Sequence, residues 1–145
     1  MSGEVLRIGG NVATPRTLDF RALAALDEQL LEPAPLGSQP IAAVPLPVLL
    51  RLCGMAPSTR SIVAESADGA FAVTLQLASA ETCVVAYRIG TVPFPRALGG
   101  PFRLVTRGRV RTGDVKSLGM IYASEEPAFD IGDSEVICLR APRAG

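Results

Sequence analysis

The sequence predicts an α+β fold in which mixed, mostly antiparallel β-sheets carry a few short helices. Three observations support that expectation. Asp68-Gly69 sits between two β-rich runs, Ser61 to Ser66 and Ala70 to Leu77, the strongest short-range hairpin signal. Further apolar runs rich in strand-forming residues recur at Cys83 to Arg88, Phe102 to Thr106, Ser117 to Tyr122 and Glu135 to Leu139. The helical patterns, in contrast, are short and closed off by proline or glycine.

Taken in order, Val5 to Ile8 reads as a strand that turns at Gly9-Gly10-Asn11. Leu18, Leu23 and Leu26, with Ala22 between them, fit a short helix capped by Thr17. Pro33, Pro35, Pro40, Pro45 and Pro47 make residues 32–47 an irregular connection. Leu46 to Cys53 then reads as a helix, with Pro47 suited to its first turn and Gly54 to its stop. After the hairpin, Cys83 to Arg88 is a buried strand leading to a turn at Gly90. Strands at 102–106 and 117–122 are separated by a glycine-punctuated loop, and a last strand is expected at about 134–140.

The 145 residues suit one domain, 1–145, and 48% hydrophobic content supplies its core. Fourteen Lys+Arg balance 14 Asp+Glu, and with pI near 6.3 no nucleic-acid partner is expected. No run approaches the ~18 apolar residues of a membrane span. The first residues lack a basic, then apolar, signal pattern, so the expected location is cytoplasmic. The sequence has no His and no Trp, and Lys116 is its one lysine. Without histidine there is no Ser-His-Asp or Cys-His catalytic unit and no His-ligated metal. Acid–base chemistry near neutral pH would fall to perturbed carboxylates, thiols, Tyr or Lys. Cys53, Cys83 and Cys138 are odd in number and far apart, and read as buried thiols in a reducing compartment.

The order of motifs carries a more specific signal. Val44-Pro45-Leu46 with Leu49-Leu50 and Gly54 resembles the "G-V-P-L-x-x-L-L-x-x-A-G" segment of the sulfite-oxidase-type molybdopterin-binding domain. Ser66-Ala67-Asp68-Gly69 resembles that family's "S-x-D-G" hairpin, and Val84 to Gly90 its "L-L-A-Y-x-x-N-G" strand. Val92-Pro93-Phe94-Pro95 answers "x-P-L-P", and Gly100 to Val105 answers "G-x-P-x-R-L-V". Val115-Lys116-Ser117-Leu118 with Ile121 answers "V-K-W-L-x-x-I", and Leu6 to Leu23 resembles the family's start. The resemblance spans about residues 5 to 123 and implies a mixed α+β domain that holds a pterin cofactor in a cleft, its phosphate on basic side chains and backbone amides.

Residue by residue, the resemblance keeps the frame and loses the metal. The family's metal-ligating cysteine lies in a loop upstream of "G-V-P-L"; here that loop, about Leu31 to Val44, has no cysteine and is shortened. Cys53 and Cys83 fall inside other motifs, and Cys138 lies beyond the matching region. Leu98 stands where the family commonly has a cofactor-contacting histidine, and Ser117 where it has tryptophan. Arg103 and Lys116 match the motif arginine and lysine. Soft thiolate ligation anchors this metal, so no metal ligand is assigned.

The candidate cofactor-binding residues are therefore Arg103, Lys116, Gly99 and Gly100. A guanidinium clamps phosphate or carboxylate, and glycines let a ligand approach the backbone. Each has a plainer reading: a structural ion pair for Arg103, low lysine usage for Lys116, a tight turn for the glycines. Arg107, Arg109 and Arg111 would share one strand face, as an anion-attracting edge or a solvated one. Tyr87 and Tyr122 are expected to pack rather than react.

The expectation is a binding or interaction module with a degenerate metal site and no catalytic residues. It would take an anionic small molecule or pterin, or a protein partner or second copy, and no cofactor is expected to be resident. The alternatives are a molybdenum-cofactor-dependent oxidoreductase domain and a purely structural or oligomerisation domain.

Overall fold

Leu6 and Ile8 are buried while Arg7 between them is exposed, the alternation of a strand with one face on a core. The computed structural model describes residues 5–26, 29–31, 41–106, 115–128, 130–131 and 134–139, with this strand, β1 (Leu6–Gly10), near their start.

The expected helix over 17–26 is instead a strand followed by a shorter helix. β2 (Arg16–Leu18) pairs antiparallel with β1, and α1 spans Phe20–Ala24. Asp19, not Thr17, is the cap, accepting from the Ala22 N–H at 2.9 Å. Pairing with β1 takes up the backbone that the helix would have used.

The proline-rich connection is also partly regular. β3 (Gln29–Leu31) pairs with β4 (Ile41–Pro45), whose Ile41, Ala42, Ala43 and Val44 are all buried. Proline at 40 and 45 bounds this apolar run without interrupting it. Residues 32–40 lie outside the described residues. α2 (Leu46–Cys53) follows as expected, with Pro47 in its first turn and Gly54 left-handed at φ 73°.

β5 (Ser61–Ser66) and β6 (Phe71–Gln76) form the expected hairpin, with Gly69 at φ +74°. Asp68 Oδ1 accepts from the Ser66 hydroxyl and the Ala70 N–H, which holds its carboxyl below the ordinary range. A depressed carboxylate stabilises the folded form above its unfolded pKa, and that contribution fades as pH falls through the folded value. Amide-exchange protection at Ala70 is thus expected to be flat across neutral pH and to drop in acid. Asp68→Asn should remove the drop; persistence of it would contradict this account.

α3 (Leu77–Ala80) is a single turn that the sequence reading ran into the preceding strand. Then come β7 (Val84–Ile89), β8 (Val92–Pro93), a 3-10 turn over Arg96–Leu98, and β9 (Arg103–Val105). β10 (Leu118–Ser124), β11 (Asp130–Ile131) and β12 (Ser134–Leu139) are the last strands among the described residues, β12 lying where a C-terminal strand was expected.

Among the described residues, one sheet runs β11-β12-β6-β5-β10-β1-β2, and a second runs β3-β4-β7-β8 with β9 also on β7. The β1–β10 pair is parallel and the others are antiparallel. The main core lies between the sheets and α2, joining Leu6, Ile8, Leu49, Ile62, Val85 and Ile121. A smaller cluster of Ile41, Ala43, Val84, Ala86 and Phe94 backs the second sheet. Among the described residues no helix is long and apolar enough to cross a membrane.

Candidate functional site

The candidate site is built by the turn between β8 and β9. Phe94 is buried and fixes the entry to the turn. The Pro95 carbonyl accepts from the N–H groups of Leu98 at 3.0 Å and Gly100 at 2.8 Å, and Gly99 N–H donates to Arg96 O at 3.0 Å. This winding leaves Gly99 at φ +97°, a conformation suited to glycine.

Gly99 is also where the stems of two basic side chains meet. A Cβ placed there would lie 2.8 Å from Lys116 Cγ and 3.1 Å from Arg103 Cδ. The two side-chain stems therefore flank this one α-carbon. Arg103 is half-buried and its Nη1 donates to Leu98 O at 3.0 Å, whereas Lys116 is exposed. Ser117, at φ 51°, donates its N–H to Gly99 O at 2.7 Å and its hydroxyl to Gly100 O at 3.4 Å. These bonds tie the β9–β10 connection to the turn. All four sequence-predicted binding residues are thus brought together, although Arg103 and Lys116 are thirteen positions apart. Leu98 O and Ser117, which hold the arrangement, were not expected as supports. The positive φ of a serine is invisible in residue type.

Chemically, this is a candidate anion cradle: one guanidinium braced on a carbonyl and one exposed lysine whose stem lies beside it. Among the described residues, no three His, Cys, Asp or Glu groups gather where they could hold a metal ion. Cys53 and Cys83 are both buried in the main core, as the sequence reading expected. Burial pushes the Cys53 thiol up, against the lowering effect of the nearby Arg16. Cys83 Sγ donates to Ser79 O at 3.4 Å. A metal needs an accessible thiolate, and neither cysteine offers one at the cradle. Cys138 is on β12, in the sheet that does not contain Arg103, and its side chain lies outside the described residues. Among the described residues, the turn offers basic side chains that suit an anionic group and no thiolate that suits a soft metal.

Leu98 is half-buried and packs on the cluster of Ile41, Ala43, Val84, Ala86 and Phe94. An apolar packing contact thus stands where the resemblance would place a polar one. Arg107, Arg109 and Arg111 lie outside the described residues. Two cavities lie away from the cradle. One, of about 380 Å³, is set between α2 and α3 at Leu50, Met55, Leu77 and Ala80. The other, of about 450 Å³, is lined by Arg7, Glu65, Asp68 and Gly119 among others.

Sequence reasoning missed Glu65. It is 3% exposed, and the Tyr122 hydroxyl donates to its Oε2 at 3.3 Å. Tyr122 therefore makes a polar contact rather than merely packing, whereas Tyr87 is buried edge-on to Phe20 at 5.4 Å. The available signal was one carboxylate in the otherwise apolar run Ile62-Val63-Ala64-Glu65.

Comparison with known proteins bears on the family and the fold. The sequence pattern described as oxidoreductase molybdopterin binding domain matches residues 37–130. Among solved structures, the sulfane dehydrogenase SoxCD from Paracoccus pantotrophus matches with a TM-score of 0.70 and 19% identity. The match covers 85% of this chain and 38% of that one, and at this identity it shows a shared fold alone. No curated protein matches.

Proposed function

Because the chain belongs to the oxidoreductase molybdopterin-binding domain family, we propose that it acts as a binding module of that family, one whose metal site is degenerate. Its ligand is an anionic small molecule, such as the phosphate end of a pterin, held by Arg103 and Lys116 over Gly99 and Gly100. The observation that carries this reading is the convergence of both cationic stems on Gly99, at 2.8 and 3.1 Å from its Cβ position. The loop that would supply a thiolate has no cysteine, which supports binding without metal ligation. The buried thiols suit a reducing, cytoplasmic setting.

The test combines metal analysis with phosphate titration. Protein purified from cells that make the molybdenum cofactor is expected to carry no stoichiometric molybdenum. It should bind inorganic phosphate, and Arg103→Ala or Lys116→Ala should each weaken that binding about tenfold, the size of one lost charge-assisted contact. Stoichiometric molybdenum and pterin would overturn the reading in favour of a cofactor-dependent oxidoreductase domain. Absence of any anion binding would leave a structural or oligomerisation domain.

A further inference from the structure

Glu65 raises a question the anion cradle does not answer. Its strand neighbours Ile62 and Ala64 face the main core, so Glu65 stands on the opposite face of the sheet, yet it is only 3% exposed. Beside it opens the cavity of about 450 Å³, within the size range of small-molecule sites. Arg7 lines the same cavity from β1. In register, Arg7 is the partner of Met120 and Met120 the partner of Glu65, so the three form one row across β1, β10 and β5. One strand lies between the two charges. Two strand spacings put their backbones about 10 Å apart. A small molecule that carries both an ammonium and a carboxylate, such as an α- or β-amino acid, matches one cationic and one anionic side chain set on either side of Met120 in one cavity.

The surroundings suit such a molecule. Half-buried Met120, between the charges, gives an apolar floor for the carbon body. The register shift between Leu118 and Met120 places a bulge at Gly119, whose Cβ would lie 2.5 Å from Ala67 Cα. Bulges commonly re-aim side chains beside binding sites. We propose that this cavity is a site for a small zwitterion, its ammonium group on Glu65 and its carboxylate on Arg7. The site is separate from the anion cradle, although the two adjoin through the Ala67 N–H bond to Ser117 O at 2.7 Å.

The full-length chain, labelled for amide NMR, is titrated with glycine, β-alanine, acetate and methylammonium. Glycine or β-alanine should shift amides at residues 65–69 and 119–120, with acetate and methylammonium binding at least about tenfold more weakly. Arg7→Gln, an exposed position, should weaken the zwitterion about tenfold. Glu65→Gln should do the same provided its circular dichroism is native; if that variant unfolds, Arg7→Gln decides alone. Three results would overturn the proposal: acetate or methylammonium binding as tightly, indifference to Arg7→Gln, or shifts centred on residues 99–103. Because phosphate binding is measured separately, failure here is distinguishable from failure of the cradle.

Discussion

Gly100→Ala is expected to destabilise the protein by about 3 kcal/mol or more, at the upper end of overpacking effects. A Cβ at this position would lie 1.8 Å from Phe94 O, 2.5 Å from Phe94 C and 2.8 Å from Pro95 O. These are backbone atoms, so no rotamer change relieves the clash. The Pro95 carbonyl is itself the acceptor for the Leu98 and Gly100 N–H groups, so moving it breaks the turn. The same displacement would carry Gly99 away from Arg103 and Lys116 and abolish phosphate binding along with stability. Gly9→Ala is the control. Its Cβ would meet only Pro15 Cβ, at 4.0 Å, and thermal denaturation should show little change. Equal melting temperatures for the two variants would refute the close-approach account of Gly100.

The second large effect is expected at Ile121. It is 0% exposed at the centre of β10, with Ile8 of β1 and Ala64 of β5 as its register partners. Ile121→Ala removes apolar volume from a place where strands on both sides limit collapse, so a loss of about 2–5 kcal/mol is expected. Against a total stability of about 5–15 kcal/mol this is a large share. At about 2–4 °C per kcal/mol, the melting point should fall by about 4–20 °C. Ile121→Val should cost only about 0.5–1.5 kcal/mol. A melting temperature unchanged in Ile121→Ala would show that the β1–β10–β5 row is not a rigid core.

Legibility in the sequence followed the range of the forces involved. The Asp68-Gly69 hairpin and the α2 boundaries at Pro47 and Gly54 were readable because φ preference and turn chemistry act within a few residues. The apolar runs of β7, β9, β10 and β12 were readable because strand burial imprints on residue type. Thr17 was misread as a cap because pairing of residues 16–18 with β1 overrode local helix preference. The strand at 41–45 was hidden by its flanking prolines, although a strand tolerates proline at its ends. Glu65 was passed over because burial on the far face of a sheet leaves little trace in the local pattern.

The candidate site divided along the same line. Arg103, Lys116, Gly99 and Gly100 were visible through motif order, but nothing in the spacing said that Gly99 seats both cationic stems. By itself the sequence determined the α+β class, the loss of histidine and loop cysteine, and the elements whose signals are local. Those follow from backbone sterics and composition, which need no partner. Only the tertiary structure decided the parallel β1–β10 pairing, the row Arg7–Met120–Glu65 and the meeting of residues 99, 103 and 116. Each depends on strands distant in the chain coming into register, and register is set by burial of the whole sheet face rather than by any one segment.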